Sequence, residues 1–176
     1  MLKEKLEELG WELLGRRSPD AMKKVEAVEQ SLGTRFPDTY RTMLIDYGGD
    51  IFFGNGAIFY PDVRTPWNDT GDGALDIQAF YGVGDFHTTL QSMIRDLVGE
   101  QIPRWLIPIG EASFGNQLCL GIAGKDRGAV YFWDHEYEEG TGLYRIAASF
   151  DDFLKMLEPD PDAHTPIASE TSDTGL

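Results

Sequence analysis

At 176 residues, with 41% hydrophobic and 12% aromatic content, the chain has the size and apolar content for one globular domain with a real core. Its 30 acidic residues against 15 basic ones give a formal net charge of −15, and such a surface repels phosphate backbones, which speaks against nucleic-acid binding. No run approaches the ~18 to 20 apolar residues of a membrane-spanning helix, and the single Cys119 has no partner for an internal disulfide.

Residues 1–14 carry Leu2, Leu6, Leu9 and Leu13 at helical spacing, with Lys and Glu between them. That mixture has no apolar h-region, so it does not read as a secretory signal, and with one cysteine the expected address is cytoplasmic. Residues 1–17 are expected to form an amphipathic extension that packs on the domain or on a second copy, which leaves monomer and homodimer open. "SPDAMKKVEAVEQSLG" reads as a helix: Ser18 as cap, Pro19 at the first position, Gly33 at the left-handed end. Met22, Val25, Val28 (or Glu29) and Leu32 form its apolar stripe. In "FPDTYRTMLIDYGG", Tyr40, Met43, Leu44 and Tyr47 recur at i, i+3, i+4 and i+7, and Gly48-Gly49 stops the helix.

The texture then changes to strands. In "IFFGNGAIFY", Asn55-Gly56 predicts a two-residue hairpin turn between apolar runs. A loop, "PDVRTPWNDTGDG", and a strand, "ALDIQAFYGV", follow. "HTTLQSMIRDLVGE" returns to helix, with Thr88 and Gln91 spaced as a capping box. "WLIPIG", "NQLCLGIAG", "AVYFWD" and "YRIAAS" are strands joined by short Gly-containing links, which predicts an antiparallel meander. "SFDDFLKMLEP" closes the domain as a helix capped by Ser149. Residues 159–176 show no apolar period and read as a disordered acidic tail. Helices, then a sheet, then a helix make an α+β domain.

"GAVYFWDHEYEEGTG" holds the densest polar cluster. Alternation puts Tyr131, Trp133 and His135 on one face and Val130, Phe132, Asp134 and Glu136 on the other. Three adjacent residues on a strand do not converge on a cation, and no H-x-x-x-H or C-x-x-C pattern supplies more ligands. No metal and no cofactor is expected. In "QLCLGIA", Cys119, Gly121 and Ala123 make a strip of small side chains on which a helix can pack closely, so Cys119 reads as a packing residue. His87, His135 and His164 are the only histidines, no G-x-S-x-G elbow accompanies them, and the glycines of "GNGAIF" and "YGVGDF" lack the following Lys of a phosphate loop. No catalytic residue is assigned, and the chain is read as a non-enzyme.

"VEAVEQSLGTRFPDTYRTMLIDYGG", "LIPIGEASFGNQLCLGI", "GAVYFWDHE" and "IAASFDDFLKML", in this order, resemble the SUKH superfamily, the group around the fungal cell-wall regulators of the Smi/Knr type. The resemblance implies one SUKH-like domain over 18–158, with a mainly antiparallel central sheet packed by N-terminal helices, a middle helix and a C-terminal helix. Its recurring Gly-Asn turn and Trp-Asp-His-Glu strand exit correspond to Gly115, Asn116, Trp133, Asp134, His135 and Glu136. It further implies binding rather than catalysis: many bacterial members are understood as immunity proteins that neutralise polymorphic toxins, often nucleases. Fungal relatives are regulatory interaction proteins, so a regulatory or scaffolding module without a toxin is the alternative.

Charge fits a basic partner. The first 35 residues hold seven acids and seven bases, leaving 23 acids against eight bases after Arg35. Such a field attracts and steers a basic protein, such as a nuclease-type toxin domain, although acidity also serves plain solubility. Asp134, His135, Glu136, Glu138 and Glu139 are expected to contribute to the binding surface, with Tyr137 as aromatic anchor. The loop bearing Trp67, Asp69 and Asp72 is a second candidate, with Trp67 either exposed or folded back onto the core.

Overall fold

The computed structural model describes residues 1–69, 71–137 and 141–163. Helices α1 (Leu2–Glu8), α2 (Ala21–Leu32) and α3 (Asp38–Tyr47) come mostly before the strands, α4 (Leu90–Leu97) interrupts them, and α5 (Phe150–Met156) follows nearly all of them. Among the described residues, eight strands form one sheet in the order β1 (Glu12–Leu14), β2 (Asp50–Phe59), β3 (Leu75–Phe80), β4 (Leu106–Glu111), β5 (Gln117–Gly121), β6 (Val130–Trp133), β7 (Leu143–Ala147), with β8 (Glu158–Pro159) returning to β2. Every pairing is antiparallel, so the fold is α+β with a central antiparallel sheet and flanking helices, as the sequence and its resemblance imply.

Alternation along β5 and β6 produces two cores. Leu118, Leu120, Val130 and Phe132 join the large cluster with Leu6, Val25, Tyr40, Leu44, Phe150 and Phe153 from the helices. Cys119, Tyr131 and Trp133, one residue out of phase, form a smaller cluster on the opposite face with Ile102 and Leu106, covered by Leu97 and Trp105. Both faces of β6 are covered although it lies only one strand in from the edge strand β7, and each fully buried Leu or Phe contributes roughly 1.5 to 3 kcal/mol. Burial also pushes the Cys119 thiol well above its ordinary pKa, which suits packing and not nucleophilic attack. Leu97 of α4 packs on this small-residue face, while at Gly121 the short 3-10 helix Gly124–Asp126 folds back so closely that a Cβ would collide with the Asp126 carbonyl.

Several local expectations are corrected. Gly54-Asn55-Gly56 is no hairpin turn: β2 runs straight through it, with a bulge between Phe52 and Ala57. The outer partner of β2 changes there, from β1 at Asp50–Phe52 to β8 at Ala57 and Ile58, and extra residues let one strand serve both. The helix expected over 1–14 ends at Glu8, and residues 12–14 become strand β1. Leu6 and Leu9 are buried, whereas Leu13 is exposed. Ser18 does not cap α2; its hydroxyl donates to Asp20, which occupies the cap position. The capping box of α4 is Thr89 with Ser92, one residue beyond Thr88 and Gln91. Ser149 does cap α5, accepting from the Asp152 amide at 3.1 Å. Residues 164–176, most of the expected tail, lie outside the described residues.

Candidate functional site

β6 ends at Trp133, and the polar residues beyond it take three different roles. Asp134 is buried, 1% exposed. Its Oδ2 accepts the Trp67 indole N–H at 2.6 Å and its Oδ1 accepts the Glu136 amide at 3.1 Å. The Asp134 amide in turn donates to the Gly142 carbonyl at 2.9 Å. A buried carboxylate persists only when hydrogen-bonded, and here two donors and the turn after the strand hold it. His135 turns the other way, exposed, with Nδ1 3.0 Å from Asn116 Oδ1, which also accepts the His135 amide at 3.2 Å. Glu136 and Tyr137 are exposed. Glu138 and Glu139 lie outside the described residues.

Two other segments converge on this exit. In the loop between β2 and β3, Thr65 and Asn68 bond each other: the Thr65 amide donates to Asn68 Oδ1 at 2.6 Å, and the Asn68 amide reaches Thr65 Oγ1 at 3.3 Å. The resulting tight turn presents Trp67, half buried against the large core, to Asp134. Asp69 and Asp72 of the same loop are exposed. Asp69 pairs with Arg64 at 2.8 Å, and Asp72 accepts from the Tyr60 hydroxyl at 3.3 Å and the Ala74 amide at 3.0 Å. The third segment is the β4–β5 turn, where Gly115 takes φ +86° beneath the His135 ring. Buried Asn116 stitches that turn to the strand exit. Trp133 is buried, with its indole N–H unpartnered among the described residues.

Trp67, Asp134, His135, Gly115 and Asn116 thus form one connected structure, with Glu136 and Tyr137 at its rim. Asp69 and Asp72 stand on the same loop as Trp67 but bond within that loop. Sequence reading missed Phe114. Its ring stacks on Trp67 at 5.1 Å and 19°, is 74% exposed, and its backbone has φ +63°. An aromatic residue at a turn position that favours Asn, Asp or Gly was the available signal.

Among the described residues, no group of three or more His, Cys, Asp or Glu side chains could hold a metal ion. Nor is any helix among them long and apolar enough to cross a membrane. The site is a shaped, partly aromatic surface with exposed carboxylates around it.

The model of the SMI1 / KNR4 family (SUKH-1) matches residues 22–156, a span that holds the strand exit, the aromatic loop and the β4–β5 turn. The chain is also 29% identical over 162 residues to the SPbeta prophage-derived uncharacterized protein YokK of Bacillus subtilis (strain 168), an alignment covering 87% of this chain and 80% of that protein.

Proposed function

The chain belongs to the SMI1 / KNR4 family (SUKH-1), and from that premise we propose that it is a non-enzymatic immunity protein that binds and neutralises a basic toxin domain of the nuclease type. Family membership is the observation that carries the reading. A nuclease needs a cationic cleft for phosphates, and a chain of net charge −15 offers the complementary field. The surface assigned to the contact is the rim of the β6 exit: Glu136 and Tyr137, both exposed, continuing in sequence to Glu138 and Glu139. Asp69 and Asp72 extend it on the neighbouring loop. Asp134, buried, positions this surface, and an exposed Tyr among acids suits an anchor that desolvates on docking.

A tagged pull-down from the native host, washed at low and then high salt, tests this. One stoichiometric basic protein with a nuclease-like domain, released by salt, is the expected result; several unrelated partners with no salt dependence would indicate a regulatory module instead. With that partner in hand, the combined variant Glu136→Lys, Glu138→Lys, Glu139→Lys should keep its thermal transition and associate roughly tenfold more slowly at low salt. An unchanged association rate would remove this surface from the contact.

A further inference from the structure

Phe114 carries two costs that the fold alone does not explain. A non-glycine residue at φ +63° sits where its Cβ crowds the following carbonyl, and a phenyl ring 74% exposed leaves its apolar face in water. The neighbouring Gly115 also has positive φ, as hairpin turns of the mirror-image type require, and in such turns Asn or Asp is the undemanding choice. Instead the ring lies on Trp67 in a stacked pair, and Trp67 is itself held by the buried Asp134 carboxylate. One face of Phe114 is thereby fixed from below and the other left open.

Beside it is a pocket of about 200 Å³ whose lining includes Ile58, Trp67, Ala74, Asp76, Ser113 and Phe114. Asp76 is half buried. Its Oδ1 accepts the Ser113 amide at 3.1 Å and its Oδ2 accepts the Ser113 hydroxyl at 2.6 Å. A carboxylate has about four acceptor positions, so each oxygen keeps capacity for a further donor. The pocket thus sets the stacked Phe114 and Trp67 rings beside a rigidly oriented carboxylate, within a chain of strong negative charge.

We infer that this pocket receives an arginine side chain of a protein partner. A guanidinium is planar, stacks on an aromatic face and forks onto a carboxylate, which matches both walls. Lysine, a compact and strongly hydrated charge, matches only one. The inference deepens the binding reading above by naming the side chain the basic partner offers, and in that respect rests on it.

The probe is the blocked tripeptide acetyl-Gly-Arg-Gly-amide, titrated into the full-length 15N-labelled chain and followed by NMR. Saturable shifts of the Trp67 indole N–H and of the Ser113 and Phe114 amides are expected. The citrulline peptide, the same shape without charge, should bind roughly fivefold more weakly or worse. Phe114→Asn suits the left-handed backbone and should fold with no loss of stability, yet lose the arginine response. Asp76→Asn, which keeps an acceptor for Ser113, serves as a second variant and should weaken it. Equal shifts with citrulline, a response retained in Phe114→Asn, or no saturable shift would each overturn the pocket. Absence of any basic partner in the pull-down would overturn the immunity reading while leaving an arginine response at Trp67 to stand.

Discussion

The Asp134 carboxylate accepts from the Trp67 indole at 2.6 Å and from the Glu136 amide at 3.1 Å, and its burial makes both bonds hard to replace with water. Hydrogen bonds to a charged acceptor contribute about 1.5 to 3 kcal/mol, and removing the acceptor leaves buried donors unpaired. Asp134→Ala should therefore cost about 2 kcal/mol or more, read as a lower urea midpoint, and should raise amide hydrogen exchange at Trp67 and Asn68 ahead of the central strands. Asp134→Asn, which keeps an acceptor, should cost less. Equal exchange in wild type and Asp134→Ala would show that the loop stands without this bond. The same residue marks a limit of reading sequence. "WDHE" reads as one polar exit, but the partner of Asp134 lies 67 positions away, a separation at which no local periodicity speaks.

α2 and α3 are joined by a bond network at their link. Arg41 Nε lies 3.2 Å from both oxygens of Glu29, and Glu29 Oε1 also accepts the Phe36 amide at 2.8 Å. Both side chains are mostly shielded, so breaking the pair strands a charge and an amide in one step. Glu29→Ala should destabilise by about 2 to 3 kcal/mol; Glu26, 3.5 Å from Arg41, limits the loss. A double-mutant cycle with Arg41→Ala should return a coupling above about 1 kcal/mol, and a value near zero would make the pair incidental. At this scale most of the fold was legible, because helix stops at Gly33 and Gly48 and the alternation of β5 and β6 are local physics. The stripe of α2 was legible save at its start. Val25 and Val28 are buried and Leu32 packs partly buried against the core, but the first inward residue is Ala21, and Met22, 53% exposed, sits about 100° round the helix. Asn55-Gly56 misled for a different reason. Its turn propensity is real, and two separate outer partners for β2 overrode it, a tertiary effect absent from any short window. Phe114 was missed because the Gly-Asn pair drew attention one residue too far along.

Across the whole molecule, acidity and the packing of the sheet meet at Asp50, the first residue of β2. It is 2% exposed, its Oδ1 accepts the Gly82 amide at 2.7 Å, and Gly82 itself packs so close to the Gly49 carbonyl that no Cβ fits. Burial pushes its pKa up from the ordinary carboxylate value to about 6; the Gly82 N–H and His87 oppose that rise, and Glu111 adds to it. A raised carboxylate pKa means that the folded state binds more protons than the unfolded one between roughly pH 4 and 6. Stability therefore rises as pH falls through that window and is reduced above it by the net cost of the buried charge, on the order of 2 to 3 kcal/mol for a shift of this size. Protonating surface acids also relieves self-repulsion in a chain of net charge −15, which acts in the same direction. Asp50→Asn separates the two contributions, since it keeps an acceptor for Gly82 and removes only the buried charge. Urea midpoints at pH 5 and pH 7.5 should differ clearly in the wild-type chain, with the higher at pH 5. In Asp50→Asn the midpoint at pH 7.5 should rise and the difference should shrink to the part owed to the surface. An equal difference in both chains would place the whole pH response in the surface field and none in the strand that anchors the sheet.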